Sequence, residues 1–394
     1  MLKIALVALN GDCATAARPG SGNREVLGLA DAMAAQGHRV TVYARRSSAR
    51  QPGAVTLDSG VTVSYLPAGA PGRLAADQVG QQIRPFADAL ADRWRHDRPD
   101  VAHAWFWTSG LAALAVARDQ HVPVVQTFSS LGAAEHRHHR PEQGPAGRIR
   151  LEASIARTVS AVLAGSSEET AELATLGVPR TAVRMVPCGV DTSRFAPDGP
   201  VARRGKLPRL LVTSPLEPGQ GLDTAIRALA QVPGAELVII GGPKRRQLPE
   251  LDCYRTLDSL ATNAGVRDRV VFAGRVPDDD LAAWIRSADL MISAASYEPF
   301  GTATVRAMAC GIPVIASGVG ANQDAVVDGT TGVLVPPNQP RLLAQRIREL
   351  LAAPVRRGAY GAAGADRATS RYSWERISHE TLTAYEHSAQ RVAA

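Results

Sequence analysis

The amino-acid sequence predicts an α/β chain built as two doubly wound parallel sheets. Short apolar runs that read as buried strands alternate with segments of helical spacing along most of the chain. A polar stretch containing Gly and Pro, residues 198–207, interrupts this alternation near the middle and reads as a linker. The length, 394 residues, is enough for two ordinary domains with real cores. The expected division is 1–197, 208–372 and a terminal segment 373–394.

Residues 3–9 form an apolar first strand. A loop of small residues follows at 10–23 and contains Pro19-Gly20-Ser21-Gly22. Val26, Leu29, Ala30 and Met33 then fall at helical spacing, Gly37 ends that helix, and 40–43 is the next strand. This is a βαβ unit whose glycine-rich loop lacks the G-x-G-x-x-G of dinucleotide sites. Further strands are expected at 61–63, 99–104 and 122–128, with helices at 78–94 and 110–118. Ligands of such sheets bind at the carboxyl ends of strands, which singles out His103-Ala104-Trp105 and Phe128-Ser129-Ser130. The run Glu135-His136-Arg137-His138-His139-Arg140 has neither the H-x-x-x-H spacing nor the cysteines of a metal site and reads as a solvated loop. A helix at 149–159 and a strand at 161–164 follow. Ser166 is a helix cap with early acids Glu168 and Glu169, and 183–187 closes the first domain.

In the second half, strands are expected at 210–213, 237–240, 270–274 and 290–293, with a helix at 222–230. Gly241-Gly242-Pro243 is a turn at a strand's carboxyl end. Residues 331–336 read as a turn, 341–351 as a helix, and the last helix opens at Tyr372-Ser373-Trp374.

The most informative stretch begins at Glu298-Pro299-Phe300-Gly301-Thr302 and runs on to Ser317. Helix formers extend from Ala303 to Ala309, Gly311 stops them, and 312–316 is a short apolar strand. The start of that helix offers backbone N–H groups, which bind phosphate, beside a carboxylate, which accepts hydroxyl hydrogen bonds. Phosphate together with polyol suggests a sugar nucleotide or sugar phosphate. For Glu298 alone the plainer reading is a surface acid capping the helix dipole; replacing this surface side chain by Ala or Gln is expected to leave stability nearly unchanged.

Composition narrows the class. An apolar share of 45% is that of a soluble globular protein, and no apolar run approaches the ~18 residues of a membrane span. The net charge of +7 is spread over both halves, without a basic tail, and gives no reason to expect nucleic acid. It leaves room for a weak membrane association. Residues 3–9 are too short for a secretory signal, and four scattered cysteines form no C-x-x-C pair, so a reducing, cytoplasmic setting is expected.

The stretch from Glu298 to Ser317 resembles the signature of the retaining glycosyltransferases of family 4, with Glu-x-Phe-Gly followed by Ala-Met-Ala-Cys-Gly-x-Pro-Val-x-Ala-Ser. The resemblance extends over nearly the whole chain, and Cys188-Gly189-Val190-Asp191 matches the family's interdomain segment. It implies the GT-B fold, two Rossmann-like domains facing a cleft, with a C-terminal helix that crosses back to the first domain. It implies a hexosyltransferase that moves sugar from a nucleotide sugar to a small-molecule or lipid hydroxyl, with no cofactor and no metal. Glu298 would act in catalysis by holding a donor-sugar hydroxyl. Gly20, Ser21, Gly22, Gln220, Gly221, Arg275, Val276, Phe300, Gly301, Thr302 and Arg306 would line the donor side, and His103, Trp105, Ser129, His136 and His138 the acceptor side.

Four positions depart from the family pattern. Pro215 and Gln220 stand where Arg and Lys usually hold the diphosphate, Arg306 replaces the second Glu, and Ser129 stands where a His is frequent. An alternative of a different class is therefore a degenerate GT-B protein that binds a ligand or partner without transfer. A further hypothesis is that Arg306 takes over phosphate binding.

Overall fold

In a computed structural model of the protein, residues 1–9, 23–72, 78–138 and 145–393 are described. The first strands and helices are β1 (Lys3–Ala8), α1 (Asn23–Ala35), β2 (Arg39–Arg45), β3 (Ala54–Thr56), β4 (Thr62–Leu66), α2 (Ile83–His96) and β5 (Val101–Trp105). Next come α3 (Phe106–Gln120), β6 (Val124–Thr127), α4 (Gly132–Arg137), α5 (Arg148–Thr158), β7 (Ala161–Ala164), α6 (Ser167–Thr175) and β8 (Val183–Met185). The chain continues through β9 (Arg209–Thr213), α7 (Leu222–Leu229), β10 (Glu236–Ile240), α8 (Asp252–Asn263), β11 (Val270–Gly274), α9 (Leu281–Arg286) and β12 (Leu290–Ser293). It ends with α10 (Thr302–Ala309), β13 (Val314–Ser317), α11 (Ala321–Ala325), β14 (Gly332–Val335), α12 (Pro340–Leu351), α13 (Pro354–Tyr372) and α14 (Trp374–Ala393).

Contacts divide the chain into two units, Met1–Gly189 with Trp374–Ala394, and Val190–Ser373. The first unit holds a sheet in the order β3-β4-β2-β1-β5-β6-β7-β8, parallel except for the β3 edge. Its apolar face is covered by α1 and by α14, whose Ile377, Leu382 and Tyr385 join the core around Leu6, Val42 and Val125. The Trp374 indole is gripped between two glycines. A methyl group at Gly28 would lie 2.4 Å from its ring, and one at Gly189 2.2 Å.

The second unit holds an all-parallel sheet in the order β11-β10-β9-β12-β13-β14. Its strands are apolar on both sides: Leu210, Val212, Leu237 and Ile239 enter one core, and Leu211, Val238 and Ile240 the other. Helices on both faces make such continuous apolar runs necessary.

Several segments differ from the sequence-based expectation. Residues 331–336 contain a strand, β14, because Gly332–Val335 pairs in parallel with Val314–Ser317. The segment from Glu135 is helical through Arg137, and Glu135 is buried rather than solvated. The polar stretch 198–207 lies on the second unit: Ala202 N–H donates to Ala283 O at 3.0 Å, and the Arg204 guanidinium pairs with Asp289 at 2.9 Å. Upstream of it, Val190 and Phe195 enter the second unit's core, and Val190 N–H donates to Tyr372 O at 2.7 Å. No helix among the described residues is long and apolar enough to cross a membrane.

Candidate functional site

In the second unit the strand order reverses between β9 and β12, and the loops that leave their carboxyl ends flank this switch point. Ligands of open α/β sheets bind at such a point. The two loops are stitched together. Ser296 N–H donates to Gly219 O at 2.9 Å and its hydroxyl to the same carbonyl at 3.1 Å. Gly221 has φ of 69° and lies so close to the second loop that a methyl group there would come within 1.9 Å of Ala294 O, which requires glycine. Gln220 accepts a hydrogen bond from the Ser214 hydroxyl at 2.9 Å, closing its own loop.

Glu298 is half-buried at the entry to α10, and its Oε1 accepts from the N–H groups of Phe300 at 3.3 Å and Gly301 at 3.0 Å. Gly301 is the helix's N-cap, with φ of 64° and no side chain to cap with, so the carboxylate three residues earlier does so. Ala321 N–H in turn donates to Glu298 O at 2.8 Å. The N–H groups assigned from sequence to sugar or phosphate are thus engaged by Glu298 itself. Thr302 opens the helix and is half-buried.

Arg306 lies on the second turn of α10, with its guanidinium carbon 5.3 Å from the Phe195 ring centroid. Arg194 stacks on the same ring at 5.2 Å. At the end of β11, Arg275 N–H donates to Pro243 O at 2.8 Å, and the Val276 side chain is buried in the core. Gly20, Ser21 and Gly22 lie outside the described residues.

In the first unit, the carboxyl ends of β5 and β6 carry two residues with left-handed backbone, Phe106 (φ 69°) and Ser129 (φ 67°). For a residue as bulky as Phe this is strained and must be held by its surroundings. Gln126 donates to Phe106 O at 3.2 Å, and the Arg148 guanidinium lies 5.0 Å from the Phe106 ring centroid. Arg148 is fully buried. It donates to Glu152 at 2.6 Å, to Glu135 at 2.8 Å, and to Ser130 O at 2.9 Å. Glu152 also accepts from Gly132 N–H at 2.8 Å. One guanidinium therefore serves two carboxylates, and burial holds the Glu152 carboxyl above the usual range against the pull of Arg148. Sequence reasoning missed this triad, although the Arg148–Glu152 spacing of four was visible in α5. His136 is exposed on α4, and His138 contacts Glu168 Oε1 at 2.6 Å.

His103 and Trp105, expected at a rim, are buried. Both project from one face of β5, their rings stacked with centroids 3.8 Å apart. His103 Nδ1 meets the Tyr385 hydroxyl at 2.7 Å and Nε2 the Thr127 hydroxyl at 2.8 Å. The ring is a tie between β5, β6 and α14. Burial pushes its pKa down to about 3, so the folded protein keeps it neutral. Below pH 6.5 the unfolded chain takes up a proton that the folded protein refuses. Stability from this group is complete above that pH and declines as pH falls toward 3, at up to about 1.4 kcal/mol per pH unit. Denaturant titrations between pH 7 and 4.5 are expected to show a flatter dependence for His103→Gln by nearly one proton. Equal slopes would contradict the neutral buried ring.

Comparison with known proteins agrees with this architecture. Residues 22–194 match the model of Glycosyltransferase Family 4 and residues 198–367 that of Glycosyl transferases group 1. The D-inositol 3-phosphate glycosyltransferase of Xylanimonas cellulosilytica is 31% identical over 398 residues, covering 95% of this chain and 94% of its own. That of Kineococcus radiotolerans is 33% identical over 414 residues, with 96% and 94% covered. Among solved structures, sucrose-phosphate synthase from Thermosynechococcus elongatus superposes with a TM-score of 0.90 at 27% identity, over 100% of both chains. Anabaena HepE in complex with UDP-glucose superposes with a TM-score of 0.76 at 19% identity, over 100% of both, which bears on the fold alone. The chain belongs to glycosyltransferase family 4 and has the GT-B fold of two Rossmann-like parallel-sheet domains.

Proposed function

We propose that the protein transfers a hexose from a nucleotide sugar to a hydroxyl acceptor with retention of configuration. The observation that carries this reading is the Glu298 carboxylate held at the first turn of α10, beside the switch point of the second sheet. Glu298 would accept a hydrogen bond from a donor-sugar hydroxyl, and the positive end of the α10 dipole, at Gly301 and Thr302, would stabilise the departing phosphate oxygen without using the N–H groups that Glu298 engages. Gln220, Gly221 and Phe300 would border the donor, and the backbone at Arg275 and Val276 would meet the base. The acceptor hydroxyl attacks the anomeric carbon from the face the phosphate leaves. The bond to the phosphate oxygen breaks, and that oxygen takes the acceptor's proton. On the acceptor side Ser129, His136 and His138 are the candidates, with His103 and Trp105 supporting them from within the unit. Cys188, Cys253 and Cys310, which form no disulfide among the described residues, fit a cytoplasmic setting.

The acceptor panel starts from the relatives' names, with inositol phosphate first and sugar phosphates next. Incubation with UDP-, GDP- and ADP-hexoses and this panel, with the anomeric configuration read by NMR, is expected to give a retained glycoside. An inverted product would refute retention. Donor binding without transfer or hydrolysis would instead support the ligand-binding alternative.

A further inference from the structure

The loops at the switch point carry the wrong charge for a diphosphate. Residues 214–221 contain one charged side chain, Glu217, and residues 294–301 contain one, Glu298. Both are acids. Arg306, on α10 beyond the second loop, is stacked on Phe195. One strand further out the sign reverses: the turn after β10 is Gly241-Gly242-Pro243-Lys244-Arg245-Arg246, and β11 is followed by Arg275.

This basic turn is built into the sheet edge. Gly241 has φ of 153°, and a methyl group there would lie 1.8 Å from Ser214 O, so the turn presses on the loop that lacks cations. Gly274 has φ of 69°, and a methyl group there would lie 2.7 Å from Arg245 N. Gly241 N–H donates to Gly274 O at 3.1 Å, Arg275 N–H to Pro243 O at 2.8 Å, and Lys244 bridges Gly274 in antiparallel fashion. The loops after β9, β10 and β11 are therefore one packed surface, with neighbouring strands about 4.8 Å apart.

The cations on it are set apart by their place at the carboxyl ends of β10 and β11, since Arg203, Lys206, Arg227, Arg341, Arg356 and Arg371 of the same unit also lack a side-chain hydrogen-bond or ion-pair partner among the described residues. Lys244, Arg245 and Arg246 are exposed and Arg275 is half-buried. Among the described residues none of the four side chains has a hydrogen bond or ion-pair partner, whereas Arg204, Arg209, Arg269, Arg286 and Arg367 of the same unit are tied to carbonyls or carboxylates. We propose that Lys244, Arg245, Arg246 and Arg275 form the anion-binding surface for the diphosphate of a nucleoside diphosphate donor, in place of the cations missing at Pro215 and Gln220. Arginine suits the task because its planar fork pairs two phosphate oxygens at once. This inference rests on the transferase reading above.

The test is calorimetric titration of the protein, of the triple variant Lys244→Gln/Arg245→Gln/Arg246→Gln, of Arg275→Gln and of Arg341→Gln, with UDP, UMP, uridine, GDP, ADP and inositol phosphate. The triple variant is expected to lose about tenfold or more in affinity for the preferred nucleoside diphosphate. The loss should be smaller for the monophosphate and absent for the nucleoside, and affinity should depend less on salt. Arg275→Gln should show a smaller loss of the same pattern, and Arg341→Gln, which removes one charge from α12, none. Unchanged diphosphate affinity in the triple variant would overturn the proposal, as would a loss confined to inositol phosphate. If the unsubstituted protein bound no nucleoside diphosphate, the transferase reading itself would fail and this inference with it.

Discussion

Glu298→Gln and Glu298→Ala are both expected to lower transfer by about 10²–10³-fold, while only the alanine variant also loses stability. The carboxylate has two tasks that these substitutions separate. Its Oε1 accepts from Phe300 N–H and Gly301 N–H, so it caps a helix whose own N-cap residue is a glycine. Glutamine keeps an acceptor oxygen at that place. Alanine leaves both N–H groups without it, and such losses cost about 0.5–2 kcal/mol. The capping contacts thus keep the sequence-based expectation of nearly unchanged stability for glutamine and replace it with an expected loss for alanine. The charge is what both lose, and a carboxylate facing a sugar hydroxyl is a stronger acceptor than an amide. Steady-state transfer rates and urea unfolding of the three proteins decide the matter. Full activity in Glu298→Gln would remove the charge from the reaction, and equal stability losses in both would show that charge, not the acceptor atom, caps α10.

Much of the fold was legible because parallel strands buried on both faces read as plain apolar runs, as at Leu210–Val212 or Leu290–Ile292. The parts that were not legible have particular causes. The edge strand β3 has Ala54 and Thr56 exposed and is recognisable only by its antiparallel pairing to β4. Residues 331–336 contain a glycine and run into Pro336-Pro337, which masks a four-residue strand. Helix α13 contains Gly358, Gly361 and Gly364, which lower helix propensity. Packing requires one of them, Gly361. A methyl group at Gly361 would lie 2.1 Å from Gly311 O, so glycine there lets α13 lie close to the end of α10, whereas one at Gly364 would make an ordinary contact with Met308 at 3.5 Å.

The candidate site divides in the same way. On the donor side Glu298, Phe300, Gly301 and Thr302 are near neighbours in sequence and could be read as a group because a loop and a helix start hold them together. In the first unit the decisive contacts span distant elements. His103 sits on a strand near its carboxyl end, which pointed to a ligand, but its partner Tyr385 comes from the last helix, 282 positions away. No local pattern announces that a terminal helix will cover that face. Arg148 likewise shows one partner four positions on, while Glu135 and the strained Phe106 become its neighbours only after folding.

Arg148→Met is expected to cost the first unit about 3–5 kcal/mol at neutral pH, the loss typical when one member of a buried ion pair is removed. The guanidinium is fully buried, and so is the Glu152 side chain, with Glu135 nearly so. Without the cation two carboxylates remain in a medium that disfavours charge, one of them already held above its usual range by burial. Each must then stay charged at high cost or take up a proton. The variant's deficit should therefore shrink as pH falls from 7 toward 5, because protonation removes the uncompensated charges. This is the reverse of the dependence contributed by His103, so the two are separable in one series of titrations. A second variant, Arg148→Met/Glu135→Met/Glu152→Gln, removes all three charges and leaves an acceptor for Gly132 N–H. It should recover most of the lost stability, since replacing a whole buried network by apolar groups is often neutral. Urea unfolding followed by a probe in the first unit measures both. A single-variant loss below about 1 kcal/mol, or a triple variant no better than the single, would show that Arg148 does not act there as the shared counter-ion of two buried acids.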